Sequence, residues 1–154
     1  MELQRIASFD VDHTKLKRGI YISRVDGDIV TYDLRMKEPN RGDYLENTAL
    51  HTIEHLFATY VRNSPLSDGV IYFGPMGCRT GFYFITRALS DAQVIALTQE
   101  AFRFTADFEG RVPGSAESEC GNFREHDLAG AKAEAERYFD VIAGWTPEML
   151  VYRK

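Results

Sequence analysis

Ile20-Tyr-Ile-Ser-Arg-Val25 and Asp28-Ile-Val-Thr-Tyr-Asp-Leu-Arg35 flank the dipeptide Asp26-Gly27. Both runs alternate apolar and polar residues, the period of a half-buried strand, and Asp-Gly suits the positive φ angles of a tight turn. The stretch predicts a β-hairpin, and with it an antiparallel sheet. Downstream, Pro39, Asn40 and Gly42 break the chain, and Asn47 is placed to cap a helix that runs toward Arg62 ahead of Pro65. Residues 69–73 and 81–87 read as two further strands, joined through Gly74-Pro-Met-Gly77 and a short link. Ser90-Asp-Ala-Gln93 has the form of a capping box, with Val94, Leu97, Ala101, Phe104 and Phe108 at helical spacing behind it. Residues 110–121 make a polar loop, and residues 127–142 regain helical periodicity before Gly144. Hairpin, helix, two strands and two helices do not alternate as a doubly wound parallel sheet does. The expectation is an α+β fold, one domain over residues 1–154 with an antiparallel sheet and its helices packed on one face.

The composition agrees with a folded globular chain: 44% of its 154 residues are hydrophobic and 27% charged, enough to bury a core without staples. With 18 basic against 23 acidic side chains the net charge is −5, a field that repels polyanions, so neither nucleic acid nor a membrane surface is an expected partner. Charged residues interrupt every apolar run before it reaches the roughly 18 residues of a membrane helix. Residues 1–10 lack the basic and apolar succession of a signal peptide, and a cytoplasmic protein is expected. Its 2 Cys then stay reduced, available for metal binding or chemistry rather than a disulfide framework.

The helix after Asn47 carries His51, Glu54 and His55. With His51 set at zero, Glu54 falls at about −60° and His55 at about +40°, on one side of the helix. Ile53, Leu56, Phe57, Tyr60 and Val61 take the opposite side, and Ala58 leaves room beside the polar group. Two neutral imidazoles one turn apart can each give a nitrogen to one divalent ion. A solvated polar face is the plainer alternative, and His-x-x-Glu-His also fits the inverted zinc-protease motif, in which the Glu is a general base and a distant Glu completes the metal shell.

Cys78 lies in Gly74-Pro-Met-Gly-Cys-Arg-Thr-Gly81, where Arg79 places a positive charge next door. That setting favours a thiolate able to move protons or attack carbon, while packing as a small hydrophobe at a strand end is the structural alternative. Cys120, in Glu119-Cys-Gly-Asn122, sits in a polar loop less suited to packing. A soft thiolate added to two imidazoles makes a three-ligand site with one position open, the form of a catalytic metal centre.

Several motifs in order now point one way: His51-Thr-Ile-Glu-His55, Pro75-Met-Gly-Cys-Arg-Thr-Gly81, Glu119-Cys-Gly-Asn122, Ser8-Phe-Asp-Val-Asp-His13, Tyr32-Asp-Leu-Arg35 with Pro39-Asn40, and His126-Asp-Leu. Across nearly its whole length the chain resembles the S-ribosylhomocysteine lyase (LuxS, autoinducer-2 synthesis) family. The resemblance implies a homodimer with active sites at the subunit interface and a divalent iron that zinc or cobalt can replace. It implies cleavage of S-ribosylhomocysteine to homocysteine and 4,5-dihydroxy-2,3-pentanedione, the autoinducer-2 precursor, by carbonyl migration and then β-elimination. By motif position, His51, His55 and Cys120 would bind the metal, Glu54 and Cys78 would be the acid/base pair, and Ser8, His13 and Arg35 would line the substrate pocket. His126 is read as capping or packing the last helix and is left out of the site. The sequence departs from the family pattern at Tyr72 and Gly74, where an acidic residue and a serine are expected, and at Met36-Lys-Glu38, which replaces the commoner apolar start after Arg35.

Overall fold

A computed structural model describes residues 1–153. The hairpin forms as β1 (Gly19–Asp26) and β2 (Ile29–Arg35), paired antiparallel down to Asp26 opposite Ile29. The two-residue loop is therefore Gly27-Asp28, one position later than Asp26-Gly27. Gly27 takes φ 64° and Asp28 has no positive φ, the arrangement of a type II′ turn. A bulge lies between Ile22 and Arg24. Beyond β2 the breakers act as expected, with Asn40 at φ 61° and Gly42 at φ 77°.

Helix α2 spans Asn47–Arg62. Its N-cap is Glu46, without a side-chain capping bond, so Asn47 is the first helical residue and not the cap. Strands β3 (Val70–Pro75) and β4 (Gly81–Arg87) follow, and β3 extends through Gly74 and Pro75, leaving Met76–Thr80 as the connection. Pro75 is tolerated because β3 is an edge strand, in a four-stranded sheet of order β1-β2-β4-β3 with every pair antiparallel. Ser90 caps α3 (Asp91–Asp107) with the full capping box, and Asp127 caps α4 (Leu128–Ile142) by accepting from the Gly130 N–H. One further helical turn, Ala7–Asp10, precedes the hairpin and has no buried residue. With no apolar stripe to read, nothing in its sequence announces it.

Ile20, Tyr32, Leu34, Phe73, Phe82 and Phe84 share one face of the sheet and are buried there against the helices. Phe57 of α2 stacks on Phe73 with centroids 3.8 Å apart and meets the edge of Phe84 at 5.0 Å, which fixes α2 over the β3 side of the sheet. The other face presents Tyr21, Asp33, Arg35 and Tyr83, and it is covered in part by the chain's own end. Tyr138 and Trp145 donate to the Gly19 and Ile20 carbonyls on edge strand β1, and Tyr152 stacks on Tyr21 beyond it. Among the described residues no helix is long and apolar enough to cross a membrane.

Candidate active site

Burial of Ala49, Leu50, Ile53, Leu56, Phe57 and Val61 against the core leaves the opposite side of α2 to His51, Glu54, His55 and Ala58. The loop between α3 and α4 closes over that side. The Glu125 carbonyl lies 2.8 Å from His51 Nδ1, and the Pro113 carbonyl 2.8 Å from His55 Nδ1. A carbonyl only accepts, so each Nδ1 carries the ring's hydrogen and each Nε2 keeps its lone pair free. Gly114, at φ 67°, lets the loop turn against the His55 ring, where a Cβ would stand 3.3 Å from Nδ1.

Both lone pairs meet at Cys120. Its Sγ lies 3.4 Å from His51 Nε2 and 4.0 Å from His55 Nε2. Donors about 2.0–2.3 Å from a shared tetrahedral ion stand about 3.3–3.8 Å apart, so this spacing and this N/S donor set suit one divalent ion. The inverted-protease alternative needs a glutamate ligand, and none joins the group among the described residues.

The structure brings His126 into the same group, which corrects its assignment to helix packing alone. Its Nε2 is 3.9 Å from Cys120 Sγ, its ring stacks on His51 at 4.0 Å, and the donor atoms of all four residues lie within 4.8 Å of one another. Burial above all, and then His51 and His55, push its pKa down to about 4, so the ring is neutral at physiological pH. Its ring is held by Thr52, which is fully buried on α2. The Thr52 hydroxyl accepts the Asp127 N–H at 3.0 Å and lies 2.9 Å from His126 Nδ1. A hydroxyl has one proton and two lone pairs, so Thr52 can hold either tautomer of the ring, and Nε2 faces the Cys120 sulfur in both. Four residues, His51, His55, Cys120 and His126, thus present donor atoms that could hold the ion.

Glu54 does not touch this group through a hydrogen bond. It lines a cavity of about 390 Å³ with His55, Ala58, Arg62, Tyr72 and Gly114. Tyr72 in that wall lies over Gly74, since a Cβ at position 74 would run into the Tyr72 ring and hydroxyl. The aromatic residue and the glycine thus replace the expected acidic residue and serine together.

Cys78, Arg35, Ser8 and His13 line a separate cavity of about 400 Å³, with Thr80 and Tyr83. Ser8 is on the first helical turn, and His13 Nδ1 lies 2.8 Å from the Val11 carbonyl. Arg79 is not the cation that serves Cys78: its guanidinium donates to the Leu45 carbonyl and lies over the Tyr44 ring. Arg35 is joined to Cys78 instead, because Arg35 Nη1 donates to Thr80 Oγ1 at 2.8 Å and Thr80 Oγ1 is 3.0 Å from Cys78 Sγ. A third concavity, about 840 Å³ beside Gln99, Arg103 and Phe139, contains none of these residues.

The fold and these residues define an α+β protein with a His/Cys centre between helix α2 and the loop that closes over it, and an exposed thiol in a second cavity. A sequence model described as S-Ribosylhomocysteinase (LuxS) matches residues 6–149. The S-ribosylhomocysteine lyases of Phocaeicola vulgatus and Porphyromonas gingivalis are each 51% identical over 157 residues, covering 97% of this chain and 98% and 99% of theirs. That of Desulfotalea psychrophila is 52% identical over 146 residues, covering 91% of this chain and 92% of its own. The chain belongs to the S-ribosylhomocysteinase (LuxS) family.

Proposed function

We propose that this chain cleaves S-ribosylhomocysteine to homocysteine and 4,5-dihydroxy-2,3-pentanedione, as a cytoplasmic homodimer that holds one divalent iron per subunit, replaceable by zinc or cobalt. The observation that carries the reading is the convergence of His51 Nε2, His55 Nε2 and Cys120 Sγ, with both imidazoles oriented by backbone carbonyls. When bound, the ion supplies a Lewis acid that polarises the sugar's carbonyl and stabilises charge developing on oxygen.

The protein's own groups move the protons. Carrying the carbonyl from C1 to C2 to C3 requires carbon-bound protons to be removed and returned, a task for the Cys78 thiolate. Glu54 relays protons between the sugar oxygens. Glu54 then takes the C4 proton as the C5–S bond breaks, and returns it to the departing sulfur. Ser8, His13 and Arg35 bind the sugar end in the Cys78 cavity.

Within one chain, Cys78 and Glu54 line different cavities, which supports a site completed by a second copy. Exposed apolar residues lie beside both: Ile6 and Phe9 flank Ser8, and Ile71 and Tyr72 lie on edge strand β3. Such surface marks an interface.

The test is anaerobic purification with metal analysis, followed by incubation with S-ribosylhomocysteine and a thiol reagent. Thiol release is expected from the metal-loaded protein. It should vanish in Cys78→Ala and Glu54→Gln while both retain one metal per subunit. No release from the metal-loaded wild type refutes the reading.

A further inference from the structure

The far face of the sheet holds a buried ion pair, and its two ends lead to different parts of the molecule. Asp33 and Arg35, 1% and 3% exposed, sit two residues apart on β2. Arg35 Nε donates to Asp33 Oδ1 at 3.1 Å and Nη2 to Oδ2 at 2.7 Å, a two-point contact that fixes the guanidinium plane. At one end the Tyr152 hydroxyl donates to the same Oδ2 at 2.7 Å. Tyr152 lies beyond residues 6–149, which the family model covers, and its ring is held by stacking on Tyr21 at 5.0 Å. Burial, and then the Asp33 charge, push its hydroxyl's pKa well up, so it stays protonated and donating.

At the other end stands Thr80, 2% exposed. A guanidinium has only donors, so Thr80 Oγ1 accepts from Arg35 Nη1; toward a Cys78 thiolate 3.0 Å away, which has no proton of its own, it can only donate. Bonds aligned in series in a buried setting polarise one another.

We propose that Thr80 and Tyr152 are positioning residues for Cys78. The tail hydroxyl fixes Asp33, Asp33 fixes the plane of Arg35, and Thr80 passes that alignment to the sulfur as a hydrogen bond. The proposal rests on reading Cys78 as the carbon base. Without Tyr152, the Asp33 carboxylate draws Arg35 more fully to itself, and the thiolate loses support.

The experiment uses the metal-loaded, full-length enzyme as wild type, Thr80→Val, Thr80→Ser, Tyr152→Phe and Cys78→Ala. Three quantities are read: homocysteine release, melting temperature, and the rate at which iodoacetamide alkylates Cys78 at one fixed pH. Mass spectrometry of the Cys78 peptide keeps that rate apart from Cys120. In Thr80→Val, a tenfold loss of thiolate, offset in part by the greater nucleophilicity of what remains, leaves alkylation about threefold slower. There kcat should fall about tenfold with KM within about twofold, and Thr80→Ser should restore both rates. Tyr152→Phe should move both rates in the same direction by a smaller factor, about two- to threefold.

Alkylation and kcat unchanged in Thr80→Val and Tyr152→Phe, with Cys78→Ala inactive, overturn the relay and leave the base assignment standing. A lowered melting temperature with unchanged alkylation overturns it too, since the role is then structural. Turnover by Cys78→Ala overturns both readings.

Discussion

Mixing two inactive variants decides whether the site is shared between subunits. In Cys78→Ala the thiol is lost from one cavity, and in Glu54→Gln the carboxylate is lost from the other. If each working site joins the Cys78 cavity of one subunit to the Glu54 cavity of its partner, a mixed dimer has one site carrying both lesions and one carrying neither. Random exchange of equal amounts makes half the dimers mixed, so activity should return to about 25% of wild type, and a mixed dimer isolated through two different tags should reach about 50%. Each variant alone should stay inactive while keeping its metal. The assay is thiol release after co-expression, with the mixed fraction counted by tandem affinity capture. An isolated mixed dimer with full metal content and no activity would falsify the shared site, because a site built within one chain always retains one lesion.

Four further outcomes follow from the geometry. Cys120→Ala should lose most of its metal, and a cobalt-loaded sample should lose its thiolate-to-metal absorption; a full equivalent of ion with an unchanged spectrum refutes the ligation. Thr52→Val removes the hydroxyl that orients the His126 ring, and competition with a chelator should show metal affinity lowered by about 10–100-fold. Ser90→Ala deletes the capping box of α3 and should cost about 1 kcal/mol, seen by calorimetry as a melting point lower by about 2–4 °C. Gly81→Ala would drive a Cβ into the Leu34 carbonyl across the β2–β4 pair, so denaturant titration should show a loss of about 1–3 kcal/mol.

Local pattern carried the hairpin, α3 and α4, because alternation, capping residues and Gly27 act within a few positions of themselves. It misplaced the α2 cap because Asn47 has the right chemistry for a cap, while the backbone turns one residue earlier, at Glu46. His51 and His55 were legible because one helical turn brings them together whatever the rest of the chain does. His126 was not. Its place depends on Thr52, 74 positions away, and on loop closure over α2, and a lone histidine ahead of a helix carries no local sign of either. The path from Cys78 through Thr80 to Arg35 was hidden for the same reason. Arg79 is the neighbour of Cys78 in sequence, but the backbone at Arg79, with φ 60°, sends that side chain toward Leu45. Arg35 reaches Thr80 only because β2 pairs with β4, with Arg35 opposite Gly81.

The buried Asp33–Arg35 pair is poorly explained by stability. Removing one partner of such a pair costs about 3–5 kcal/mol, yet replacing both with packed apolar side chains is often neutral or stabilising. The far face could be apolar here, as Tyr21 and Tyr83 on neighbouring strands already are in part. What an apolar replacement would lose is direction: a charge held in one plane, with a hydroxyl on each side to transmit it. Both hydroxyls are present, one from the chain's end and one two residues past Cys78. Under the proposed relay the ion pair belongs to the chemistry of the cavity, with Tyr152 stacked on Tyr21 as aromatic cover beside it.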